Sequence, residues 1–328
     1  MSSLPVASQL EILDLRQFSA RQLRPLLEKE AEQWRERLRW DYRTSTELLL
    51  QYLESRILDG FVALDQGRVV GYTFCVYEGR KAVIGDAFAC EHRTMSDADA
   101  TRALLVHVLE MLRRLPTVDR VESQLLMFDA GEFADVFAGP AFAVYPRLFL
   151  ECDLRGRRTP SGHSLAEELE FVPWHPMHYQ AAGELIHASY VGHCDAKIND
   201  QYRTVPGSLR FLHNIVRFPG CGVFQAAFSW LLRERRSGAL VGMVLCSRVA
   251  PEVGHITQLC VAPAYRGRGL ATALMNKSAE SLLGSGFDAI SLTVTEANDA
   301  AVRLYERFGF GVKHRFDAMT LDTRYKGR

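Results

Sequence analysis

The stretch "YRGRGLATAL", Tyr265 to Leu274, follows directly on "HITQLCVAP", His255 to Pro263. It sets two arginines and two glycines at the mouth of an apolar run. Glycine lets a backbone approach another group closely, and arginine suits a negative one. Ala271, Leu274 and Leu282 then recur at roughly helical spacing through "LATALMNKSAESLL", and Gly284 and Gly286 supply the stop. The pattern predicts a strand, a tight basic loop and a helix start. Free N–H groups and the helix dipole converge at such a start and favour an anion, here a phosphate.

Length and composition bound the partners. At 328 residues the chain is long for one core and predicts two domains. Its 39 basic and 39 acidic residues cancel, so no overall field draws it to nucleic acid or an anionic membrane. No apolar run reaches the length of a membrane span, and "MSSLPVASQLEILDL" lacks the pattern of a secretion signal. The seven cysteines are odd in number, lack a C-x-x-C pair and sit partly within apolar runs such as "VGYTFCVY" and "VGMVLCSR". That usage predicts reduced thiols in a cytoplasmic protein and no metal site.

The two halves repeat one plan. "GRVVGYTFCVYEG" lies against "GALVGMVLCSRVA", with Gly67 on Gly238, Gly71 on Gly242 and Cys75 on Cys246, at one offset of about 170 residues. Ala103-Leu104-Leu105 fall on Ala273-Leu274-Met275, Phe142 on Phe310 and Arg147 on Arg315. Each half is read as a first strand ("LEILDL"; "LEFVPW"), helical segments, a hairpin turning at Gln66-Gly67 or Ser237-Gly238, a long strand and a helix. A further strand ("AISLTVT" in the second half), a short helix and closing strands complete the order. The class is mixed α/β. A polar stretch, Arg155 to Glu168, marks the seam between domains at residues 1–155 and 165–328.

Two motifs in the second half carry a family resemblance. Arg266, Gly269 and Ala271 match the loop Q/R-x-x-G-x-G/A. Asn298, Ala301, Leu304, Tyr305, Gly309 and Phe310 complete N-x-x-A-x-x-L-Y-x-x-x-G-F. In this order the two motifs resemble the GNAT superfamily of acyl-CoA-dependent N-acyltransferases. The resemblance covers roughly residues 165–325, and the first half only through the repeat. It implies two tandem domains, each a mostly antiparallel twisted sheet flanked by helices, with a splayed central strand pair. It also implies acetyl-CoA as co-substrate. The pyrophosphate would lie on the backbone of Arg266, Gly267, Arg268, Gly269, Leu270 and Ala271. The pantetheine arm would lie along Leu259, Cys260 and Val261, beside Asn298, Ala301 and Tyr305. The glycines also open a G-x-G-x-x-G pattern, but Thr272 takes the third glycine's place, and the loop comes late in its domain.

Amide formation needs an amine relieved of its proton and a thiolate that receives one. Tyr305 matches the family's proton donor. His255 stands where family members often carry a glutamate, so it is the expected base, with Glu252, His193 and Asp195 as rivals. The last two lie in "YVGHCDAKINDQY", whose His193, Asp195, Asn199, Asp200 and Tyr202 suit a polar amine. The first copy has Ser96, Asp99 and Thr101 opposite the cradle, and about Ala130 and Phe137 opposite Asn298 and Tyr305. With Asp97 and Asp99 at the loop, it is expected to do no transfer. The expected activity is acetyl transfer to a primary amine of a small molecule in a ternary complex. An acyl-CoA-binding sensor and a protein N-terminal or lysine acetyltransferase are the alternatives.

Overall fold

The computed structural model describes residues 10–91, 96–156 and 165–323. The chain divides into two compact units, and neither is an uninterrupted half. One is Met1–Trp34, Arg43–Tyr145 and Phe316–Arg328; the other is Arg35–Tyr42 and Pro146–Arg315. Most of the expected seam, residues 157–164, lies outside the described residues.

In the first unit, β1 (Glu11–Asp14) leads into α1 (Ala20–Leu38, whose last turns belong to the second unit) and α2 (Arg43–Glu54). β2 (Asp59–Asp65), β3 (Arg68–Glu78) and β4 (Lys81–Ala89) follow, then α3 (Asp97–Arg114), β5 (Arg120–Gln124) and the start of β6 (Phe142–Asp153), whose residues from Pro146 on belong to the second unit. Strands β1 to β4 pair antiparallel in sequence order, and β4 pairs parallel with β5. Gln66 and Gly67, both at positive φ, form the expected two-residue turn between β2 and β3.

The second unit starts with β7 (Leu169–Pro173), α4 (Tyr179–Tyr190), the short α5 (Asp195–Ile198) and α6 (Val205–Arg217). It continues through β8 (Val223–Phe224), β9 (Trp230–Glu234), β10 (Leu240–Ala250), β11 (Val253–Val261), α7 (Leu270–Leu283), β12 (Ala289–Thr295), α8 (Asp299–Phe308) and the start of β13 (Gly311–Asp322), whose residues from Phe316 on belong to the first unit. β7, β9, β10 and β11 pair antiparallel in that order, and β11 pairs parallel with β12.

The repeat has a packing cause. A Cβ on Gly71 would meet Leu104 Cδ1 at 3.0 Å, and one on Gly242 would meet Leu274 Cδ1 at 3.1 Å. In each unit a fully buried leucine of the long helix presses onto a bare stretch of strand. The ladder irregularities repeat too: β3–β4 shifts register between Phe74 and Cys75, and β10–β11 between Leu245 and Cys246.

The closing strands are exchanged. Arg147 to Asp153 of β6 pair antiparallel with β12 of the second unit, while Ala318 to Asp322 of β13 pair with β5 of the first. These are the strands that the Phe142/Phe310 match aligns, so each unit's run of strands is completed by the other half's last strand. One expected element is missing: between β5 and β6 the first half makes turns, with Gly131 and Gly139 at positive φ, where a short helix was expected. Phe133 and Phe137 anchor those turns in the core.

Candidate active site

The second unit's central strands part where the resemblance implies that they should. The parallel ladder between β11 and β12 runs from Val253↔Ala289 to Ile256↔Leu292 and ends there. β11 continues to Val261 along β10, and β12 continues to Thr295 along β6. Five residues of β11 and three of β12 therefore diverge, leaving backbone groups between them for an extended ligand. Leu259, Cys260 and Val261 lie on the diverging segment; Cys260 and Val261 are buried and Leu259 is half-buried. Burial pushes the Cys260 thiol up to about 11, so it stays protonated near neutral pH and is a poor nucleophile.

At the end of β11 the chain turns through Gly267 and Gly269, at φ 76° and 73°, into α7. A Cβ on either would have no protein atom within 4 Å. These glycines are therefore required by their left-handed backbone and not by crowding, and the space above them is open. Gly269 is the N-cap and has no capping side chain. Among the described residues, the N–H groups of Gly267 to Thr272 have no backbone partner. They point a row of donors and the positive helix end at one place. A pyrophosphate fits this cradle.

The arginines divide the work differently from the sequence expectation. Arg266 turns inward: its Nη2 donates to the Ser189 carbonyl at 2.6 Å and its Nε to the Val261 carbonyl at 3.3 Å. It ties the end of α4 to the end of β11, and its amide donates to the Pro263 carbonyl at 3.3 Å, so the open donors begin at Gly267 and not at Arg266 as expected. Arg268 is exposed, stacked over the Tyr265 ring at 5.0 Å. Leu270 is buried, and Ala271 and Ala301 pack against the same apolar core.

Tyr305 is buried beneath this opening, with the Phe310 ring edge-on at 5.7 Å. Burial first, and then the Asp195 charge, hold its phenol above the ordinary tyrosine range, so it keeps its proton. Asn298 caps α8, with Oδ1 accepting from the Ala301 amide at 3.3 Å. That bond aims its Nδ2 at His193 Nε2, 3.3 Å away. The segment singled out for an amine acceptor thus meets the second motif directly. Asp195 Oδ1 accepts from Thr295 Oγ1 at 2.5 Å, and Oδ2 lies 3.6 Å from His193 Nδ1. The rings of Tyr190 and Tyr202 stack at 4.1 Å, and Gln258 Nε2 donates to the Tyr190 hydroxyl. His193, Cys194 and Asp195 also bring ligand atoms within 4.8 Å of one another, but burial holds the Cys194 thiol protonated and Asp195 is already engaged.

His255 does not have the surroundings of a base. It pairs with Ser291 in the closed part of the ladder, one residue before the strands part. The ring is buried against Trp40 at 4.8 Å and stacked on Phe149 at 6.0 Å, with Nδ1 2.9 Å from Ser291 Oγ. Burial, aided by the Arg147 charge, lowers its pKa to about 3. A ring so disposed takes up no proton near neutrality. Trp40 reaches it from residues 35–42 of the first half, a long-range placement that no local pattern announces. Glu252 is farther off, in the turn before β11 and ion-paired with Arg39 at 3.6 Å. At roughly 3.3 Å per strand residue it stands almost 30 Å from the cradle. Thr295, Tyr190, Gln258 and Ser189 escape sequence reasoning, since ordinary strand and helix residues carry no motif.

Comparison with known proteins agrees with this geometry. Residues 208–310 match the family model described as acetyltransferase (GNAT) family. A stretch of 100 residues is 34% identical to an uncharacterized N-acetyltransferase of Methanocaldococcus jannaschii, covering 26% of this chain and 44% of that one. The match therefore spans less than half of that relative. Among solved structures, a GCN5-related N-acetyltransferase from Sphaerobacter thermophilus superposes with a TM-score of 0.64 at 17% identity, over 99% of this chain and 98% of the other. A tandem GNAT protein from the clavulanic acid biosynthesis pathway gives 0.61 at 16% identity, over 97% of this chain and 100% of the other. At such identities the two structures speak for the fold. The family match thus lies within the second unit, and over the whole chain the fold is similar to that of these GNAT proteins.

Proposed function

We propose that the second unit transfers an acetyl group from acetyl-CoA to the primary amine of a small molecule, by direct attack with both substrates bound. The observation that carries this reading is the junction of an uncapped, two-glycine helix start with a ladder that opens after Ile256 and Leu292. The donors of Gly267 to Thr272 suit the pyrophosphate, and the diverging backbone of Leu259 to Val261 suits the pantetheine amides. Acetyl-CoA, when bound, supplies the activated thioester.

Tyr305 keeps its phenolic proton and yields it to the departing sulfur. The His193–Asp195 pair, joined to the second motif through Asn298 and Thr295, takes the proton that the ammonium must lose. A neutral imidazole accepts at one nitrogen only. The contacts from the Asp195 amide to Nδ1 at 3.2 Å and from Asn298 to Nε2 are therefore used by different tautomers. Direct transfer is supported by Cys260, whose protonated, buried thiol offers no acyl-enzyme route.

The test is release of free CoA from acetyl-CoA in the presence of amines, polyamines, aminoglycosides and peptides. Amine-dependent release, with the acetylated amine seen by mass spectrometry, supports the reading. Acetyl-CoA binding with no transfer to any amine overturns it in favour of a sensor.

A further inference from the structure

Resting on that reading, we propose that the acceptor is a primary amine that also carries an anionic oxygen group, held by Arg147. The placement follows from register. β6 runs beside β12 with Arg147 opposite Thr295, Phe149 opposite Thr293 and Glu151 opposite Ser291. Directly opposed residues, and those two apart, share one face of a sheet. Arg147 therefore shares the face of Thr293 and Thr295, and its Nη2 donates to Thr293 Oγ1 at 3.3 Å. Thr295 on that face holds Asp195, so the guanidinium and the carboxylate flank one short segment of strand.

Both charges also reach the stacked tyrosines. The phenol of Tyr202 is raised chiefly by burial, with Asp195 adding to the shift and Arg147 opposing it. The acceptor side thus carries a negative end, built from Asp195 beside His193, and a positive end at Arg147. A diamine would set a second ammonium against the guanidinium. An amine with a carboxylate or phosphate meets complementary charge at both ends, and the planar guanidinium fork binds either anion. The pole comes from the first half's closing strand, so strand exchange itself contributes to acceptor choice.

The test pairs amines that differ only in the anion: β-alanine against its methyl ester, and aminoethyl phosphate against ethanolamine. Free-CoA release is measured for the full chain and for Arg147→Met and Arg147→Lys. The proposal expects kcat/KM at least about 10-fold higher for the anionic member of one pair, carried mostly by KM. Which pair shows it tells carboxylate from phosphate. Arg147→Met should erase the preference while the neutral amine is still turned over, and Arg147→Lys should keep part of it. No preference for the anionic member in either pair, or a preference that survives Arg147→Met, overturns this inference and leaves the transferase reading intact. No release from any amine overturns both.

Discussion

The two long helices of the repeat, α3 and α7, begin in opposite ways, and the difference lies in what satisfies the donors at each helix start. At α3 the anion is built in. Ser96 caps the helix by accepting from the Asp99 amide at 3.1 Å and donating to Asp99 Oδ2 at 2.7 Å, while Asp97 accepts from the Ala98 amide at 2.8 Å. The donors and the positive helix end are satisfied by the chain's own carboxylates. At α7 the cap is Gly269, the first turn has no acidic residue, and the donors are left to a ligand. Both helices bury a leucine on a strand glycine, so the packing is the same. A fold can thus keep its core while a few residues at one helix end decide whether its donors are met by the chain or left open.

The largest expected effect comes from copying one helix start onto the other. Gly269→Asp puts a carboxylate and a strained left-handed residue into the cradle. Like-charge opposition of several kcal/mol should weaken acetyl-CoA at least about 100-fold. Calorimetric titration of the parent should give one site per chain, and two equivalent sites would break the comparison.

Tyr305→Phe removes the phenolic hydroxyl and keeps the ring. It should cost kcat on the order of 100-fold while the affinity for acetyl-CoA changes little, as single-turnover and binding measurements can separate. Next comes the contrast between histidines. His193→Ala should lower kcat/KM for the amine about 10-fold or more, whereas His255→Gln should leave kcat/KM close to the parent's.

His255 instead bears on stability. Its folded-state pKa is lowered, so the unfolded chain binds the extra proton. That contribution is complete above the unfolded value of 6.5 and is lost as pH falls toward about 3. The slope is up to about 1.4 kcal/mol per pH unit. Urea midpoints taken between pH 6.5 and 4.5 should fall less steeply for His255→Gln than for the parent. The smallest effect belongs to Ser96→Ala, which should cost about 1 kcal/mol of stability and leave acetyl-CoA stoichiometry at one. Any gain of binding there would show that the cap alone had closed the first unit's site.

Legibility followed the range of the interactions. The Gln66-Gly67 turn, β12 at "AISLTVT", α7 with its glycine stop, and the short α8 were readable because turn chemistry and periodicity act over a few residues. The cradle at Gly267 and Gly269 was readable for the same reason. The missing helix after β5 was misread because the repeat was extended past Gly131 and Gly139, where the first half has its own turns. The base was misread because the alignment identified a strand position and left open where the ladder parts. His255 stands just inside the closed part.

The sequence by itself determined the repeat, the helix start that leaves its donors free, and the phenol at Tyr305. Each depends on residue type and spacing within one element. Only the tertiary structure decided that Trp40 covers His255, that the His193–Asp195 pair meets Asn298 and Thr295, and that Arg147 enters the second unit on an exchanged strand. These meetings join residues about 100 to 200 positions apart. They arise because burying apolar faces and completing both sheets are global requirements, and no local pattern records which distant segment will satisfy them.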